Sequence, residues 1–88
     1  MFENFEIRIT PSANKHGVDN DSILFGLEQC IYDEVLENEP NKTLAIGFDK
    51  KGELIEIIFS IVSENKIVVF HCMKCRKSFI ERIDNDVW

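Results

Sequence analysis

An α+β domain is the fold class this sequence predicts, with the order strand, helix, helix, three-stranded antiparallel meander, C-terminal helix. Three observations predict it. Apolar residues recur with period two at Phe5–Ile9 and in three runs between Thr43 and Met73. The breaks between those three runs are short and polar, as hairpin turns require. Apolar residues at helical spacing occupy Ile23–Ile31 and Cys75–Ile83. A chain of 88 residues with 44% hydrophobic and 30% charged residues is globular rather than disordered, and is expected to form a single domain over residues 1–88.

Each element has a local reason. Phe5, Ile7 and Ile9 alternate with Glu6 and Arg8, the pattern of a half-buried strand. Thr10-Pro11 reads as an N-cap followed by proline at the first helical position, and Gly17 suits the residue after the last turn, which predicts a short helix over Pro11–His16. Asp19 is the next N-cap, opening a helix whose apolar face holds Ile23, Leu24, Leu27 and Ile31, with Cys30 beside it. The acidic stretch Asp33–Glu39 and Pro40-Asn41 end that unit. Strands are expected at Thr43–Asp49, Glu53–Val62 and Lys66–Met73, joined by Lys50-Lys51-Gly52 and Glu64-Asn65. A two-residue turn at Glu64-Asn65 would set Ser63 opposite Lys66 and Ile58 opposite His71. The middle strand is apolar on both faces, so either helices or a second chain must cover both.

The net charge of -6 and pI of about 4.8 argue against indiscriminate nucleic-acid binding. The charge is unevenly spread: Lys66, Lys74, Arg76, Lys77 and Arg82 face only Glu81 in their own segment, while Glu28, Asp33, Glu34, Glu37 and Glu39 crowd the middle. The longest apolar run, IEIIFSIV, is interrupted by Glu56 and Ser60 and is too short to span a bilayer, so no membrane partner is expected. Met1–Ile9 has neither the basic start nor the apolar core of a secretory signal. With three cysteines, an odd number, a reducing cytoplasm is the expected compartment. A domain this small buries a modest share of its surface, and a partner or a homodimer would extend it.

The chemistry concentrates in VVFHCMKCRKSF, residues Val68–Phe79. A structural zinc site needs four ligands, whereas Cys72, Cys75 and His71 are local and Cys30 and His16 remote, so no metal is expected. His71 and Cys72 also point to opposite faces of an extended strand. Redox catalysis would want this C-x-x-C after a strand in a βαβ unit, not at the end of a meander. Cys72 then reads as a strand residue and Cys75 as an apolar helix residue. His71 stays open between a hydrogen-bonded structural role and proton transfer beside a phosphate. Lys74, Arg76 and Lys77 would form a basic patch, Arg76 gripping phosphate bidentately, with Phe79 and Ile83 anchoring the helix.

Three spaced features, NKHGVDNDSI, IGFDKKGELIEI and VVFHCMKCRKSF, resemble the small bacterial toxin superfamily that includes BrnT and RelE. The resemblance covers Ile9–Ile83 and lies with members that carry a K-H-G-V/I segment, a G-x-D-x-x-G-x-L-x-E hairpin and a V/I-H-x-M-x-x-R-x-x-F/Y ending. It implies a RelE-like compact α+β fold, the toxin role in a type II toxin–antitoxin pair, endoribonuclease activity on RNA, a cognate antitoxin as partner and no cofactor. Matched position by position, His71 and Arg76, with Lys15 and His16 of the K-H-G segment, are the implied catalytic residues; Phe79 stands where a tyrosine would offer a hydroxyl. The rival reading is a non-catalytic interaction module of the same fold, whose two-sided sheet docks a protein.

Overall fold

The computed structural model describes residues 4–87, with side chains described through Ile83. Its elements are β1 (Glu6–Ile9), a 3-10 turn (Pro11–Asn14), α1 (Asn20–Glu28), β2 (Cys30–Val35), β3 (Thr43–Phe48), β4 (Leu54–Ser63), β5 (Lys66–Lys74) and α2 (Lys77–Val87). The strands form one mixed five-stranded sheet in the order β1-β5-β4-β3-β2. The chain starts at one edge, crosses under the sheet with α1 to the far edge, and returns strand by strand to lay β5 parallel to β1. The α+β class and the β3–β4–β5 meander agree with the expectation from sequence.

The sheet's two faces carry separate cores. On one, Ile55, Ile57 and Phe59 of β4 and Ile67, Val69 and Cys72 of β5 pack with Ile23 and Leu27 of α1 and Ala13 of the 3-10 turn. On the other, Leu44, Ile46, Leu54 and Ile58 pack with Phe79, Ile80 and Ile83 of α2 and with buried Cys75. Helices therefore cover both faces of the middle strand. Close approach sets the first layer: a Cβ on Gly47 of β3 would run into the Gly26 carbonyl oxygen of α1.

Several predicted details hold. Asp19 caps α1 by accepting from the Ser22 amide at 2.8 Å. Gly17 and Gly52 both adopt positive φ, 85° and 82°, which only glycine reaches without strain. Ser63 faces Lys66 and Ile58 faces His71 as the turn register requires, although two irregularities intervene between them. They leave Val62 of β4 and Phe70 of β5 outside the paired register. Opposite shifts of one residue cancel, so the ends keep the simple hairpin pairing.

Other details are corrected. The residues Cys30 and Ile31 are not the end of a helix, because α1 stops at Glu28 and Cys30–Val35 is a strand taking half of the acidic stretch. Its burial alternates with period two, Tyr32 and Glu34 inward, Ile31, Asp33 and Val35 outward; an edge strand tolerates acids that a central strand would not. The predicted helix over Pro11–His16 is a 3-10 turn ending at Asn14. Thr10 does not cap it: the Thr10 hydroxyl donates to the Val69 carbonyl instead, at 3.0 Å. The closing helix begins at Lys77, so Cys75 lies in the connection, its amide held by the Leu54 carbonyl at 2.9 Å. Among the described residues no helix is long and apolar enough to cross a membrane.

Candidate active site

At the centre of the α2 face lies Glu56, a carboxylate with no exposed surface in the middle of β4. Its neighbours in the ladder explain what it meets. Met73 sits opposite Glu56 and His71 opposite Ile58, which places His71 diagonally across from the carboxylate on the same face. The His71 ring reaches it through Nε2, 2.9 Å from Oε2. Past the end of β5 the chain turns, and Arg76 arrives from the other side. The Arg76 backbone amide donates to Oε1 at 2.9 Å, Nε donates to Oε1 at 3.0 Å, and Nη2 donates to Oε2 at 2.7 Å. Both carboxylate oxygens are thus gripped by the guanidinium fork, and one is shared with the imidazole.

Burial pushes the Glu56 carboxyl up, but the Arg76 side chain, the Arg76 amide and His71 together outweigh it and hold the group below its ordinary value. Arg76 is fixed as a cation by the same contact. Arg76 remains half exposed, at 52% of its side chain, and its carbon lies 4.7 Å from the centre of the Phe79 ring. Arg82 stacks on that ring too, at 5.0 Å, and pairs with Glu34 of β2. Phe79 is therefore half-buried and braced by two guanidinium groups.

His16 reaches the site by a different route. β1 pairs β5 only as far as Val69, the Thr10 amide donating to the Val69 carbonyl at 3.0 Å, and the Val69 and Phe70 carbonyls also serve as acceptors for side chains. The hydroxyls of Thr10 and Ser12 take those two acceptors at 3.0 and 2.9 Å, stitching the 3-10 turn to β5 at its irregular step. Asn14 then closes the following loop by donating to the Val18 carbonyl and the Asn20 side chain. Held this way, the His16 ring meets the His71 ring edge to face, with centroids 5.5 Å apart and planes at 72°.

The structure brings together His16, His71 and Arg76, three of the residues expected from sequence. Lys15 is exposed beside His16 at the end of the 3-10 turn, and Lys77 is exposed at the first position of α2. Lys74 is on the other face: it pairs with Ile55, on the α1 side of the sheet, and adjoins the site only through a cleft that it lines with His16, Asp19, Asp49 and Glu53. The basic end of the sequence is also largely matched by acids from elsewhere, since Lys66, Arg76 and Arg82 pair with Glu6, Glu56 and Glu34. The bidentate face of Arg76 is turned inward to a carboxylate, so a ligand would meet its outer edge, Nη1. Cys72 and Cys75 belong to opposite faces of the sheet. Among the described residues no three His, Cys, Asp or Glu side chains are grouped to hold a metal ion.

Sequence reasoning missed Glu56 as a site residue. The signal was present: it is the sole charged residue in the apolar run Leu54–Val62. A charge in the middle of a central strand must find a partner or be expelled. The other interruption, Ser60, is satisfied separately by donating to the Asn41 carbonyl at 2.8 Å. Compared with protein-family models and with curated proteins, the chain matches none. The chemistry of the site therefore rests on its geometry.

Proposed function

We propose that the chain is an endoribonuclease of the small toxin type, in a RelE-like arrangement, with a cognate antitoxin as its partner in the cytoplasm. The observation that carries this reading is the cluster of two imidazoles in contact, His16 and His71, beside the outward edge of an arginine fixed by a buried carboxylate. RNA cleavage by internal transesterification needs these parts. One imidazole takes the proton of the ribose 2′-hydroxyl as its oxygen attacks phosphorus. The cation stabilises the charge that gathers on the phosphoryl oxygens. The bond to the 5′-oxygen breaks, and the second imidazole returns a proton to that oxygen. Exposed Lys15 and Lys77 flank the cluster in sequence and serve as phosphate contacts along the strand, with Lys74 reaching RNA only around the edge of the sheet.

The purified chain is expected to cleave single-stranded RNA without added metal. His71→Ala and His16→Ala should each lower kcat by about 100-fold or more, the usual contribution of a positioned acid or base. Expression of the chain alone should slow bacterial growth. Normal growth at high soluble expression, together with intact RNA in vitro, would overturn the reading. That outcome would favour the rival, a protein-docking module, for which the exposed Ile31 and Val35 on edge strand β2 speak, at 50% and 60% exposure.

A further inference from the structure

Resting on the ribonuclease reading, we propose that Glu56 is the positioning residue of the site, setting which nitrogen of His71 accepts the substrate's proton and which edge of Arg76 meets the phosphoryl group. An ionised carboxylate only accepts hydrogen bonds. The short contact to Nε2 therefore requires the proton on that nitrogen, and in a neutral imidazole the lone pair is then on Nδ1. Nδ1 has no hydrogen-bond partner among the described residues, and the ring is 24% exposed, so it is the nitrogen left for a substrate. Arg76 is oriented by the same two oxygens: Nε and Nη2 are engaged and Nη1 is left over. One side chain thus assigns two roles, making His71 the proton acceptor and leaving proton donation to His16.

Glu56→Gln tests this with little change of shape. With its oxygen at the Oε1 place the amide still accepts from the Arg76 backbone amide and Nε, while its nitrogen at the Oε2 place gives up Arg76 Nη2 and can only donate to His71, which would drive the imidazole proton to Nδ1. Long-range proton–nitrogen correlation spectra of protein carrying nitrogen-15 histidine read the tautomer directly. Wild type is expected to show His71 protonated at Nε2, and Glu56→Gln to show it at Nδ1. Cleavage of a short single-stranded RNA by the variant should fall by about 100-fold or more in kcat with KM within about threefold, since a base with its lone pair turned away is lost while binding persists. A wild-type His71 protonated at Nδ1 would overturn the proposal, and so would an inverted tautomer with wild-type kcat. Should Glu56→Gln fail to fold, the wild-type spectrum alone decides, because it needs no variant. Should wild type cleave no RNA, the ribonuclease reading falls, and the two spectra still test the assignment of Glu56.

Discussion

Burying a carboxylate is costly unless every lone pair finds a donor, and Glu56 shows how a strand centre accommodates one. The consequence is that Arg76 carries stability as well as chemistry. Arg76→Ala would leave Glu56 with only His71 and one backbone amide, at a cost of about 2 kcal/mol, less than for a fully buried pair because the guanidinium is half exposed. The pH dependence has a definite sign. Because the folded Glu56 carboxyl lies below its unfolded value of about 4.3, its stabilisation is full above that pH and is lost as pH falls through the folded value. Without the Arg76 side chain the contact that most opposes burial is gone, so the carboxyl rises toward its unfolded value and this pH-dependent stabilisation shrinks. Urea melts of wild type and Arg76→Ala should therefore differ most near neutral pH and converge toward pH 3. An equal gap at both pH values would show that Arg76 acts through Phe79 stacking alone.

Among the elements, the α1–β3 contact depends on the absence of side chains. The two glycines that meet there are not equivalent. A Cβ at Gly47 meets the Gly26 and Gln29 carbonyls, which are backbone and cannot yield without moving the helix. A Cβ at Gly26 meets the Ile55 Cδ1 at 2.6 Å, the far end of a side chain that can change rotamer. Gly47→Ala is expected to destabilise by about 3 kcal/mol or to block folding, as overpacking against backbone does. Gly26→Ala should stay within about 1 kcal/mol of wild type, the repacking being offset by the better helix propensity of alanine. Thermal denaturation of the two variants checks the contrast; equal losses would mean that α1 shifts freely on the sheet.

For the whole molecule, the sheet is a wall between two cores, and the cysteine pair lies on both sides of it. Cys72 is buried among α1-side residues, and burial, with the nearby charge of Glu56, pushes its thiol up to about 12. Cys75 is buried on the α2 side. In the native protein Cys72 should resist alkylation by iodoacetamide until the whole domain opens, while half-buried Cys30 reacts sooner. Mild oxidation should not join Cys72 to Cys75. Peptide mapping after alkylation or diamide treatment checks both, and a Cys72–Cys75 disulfide in folded protein would contradict the two-faced placement.

Whatever depends on near neighbours is legible in the order of residues. The meander, the turn glycines, the Asp19 cap and the pairing of Ile58 with His71 follow from period-two patterning and turn length, which act over a few residues. That order also singled out His71, Arg76 and His16. β2 depends on the folded sheet, since CIYDEV has alternating exposure but acids that speak against a strand until an edge position is available. The partners of Arg76 were decided there as well. Its bidentate fork suits a phosphate or a carboxylate equally, and the choice of Glu56 depends on β5 ending where the chain can double back over β4. Lys74 went to the other face for the same reason: along a strand, alternation separates residues that a list of charges places together.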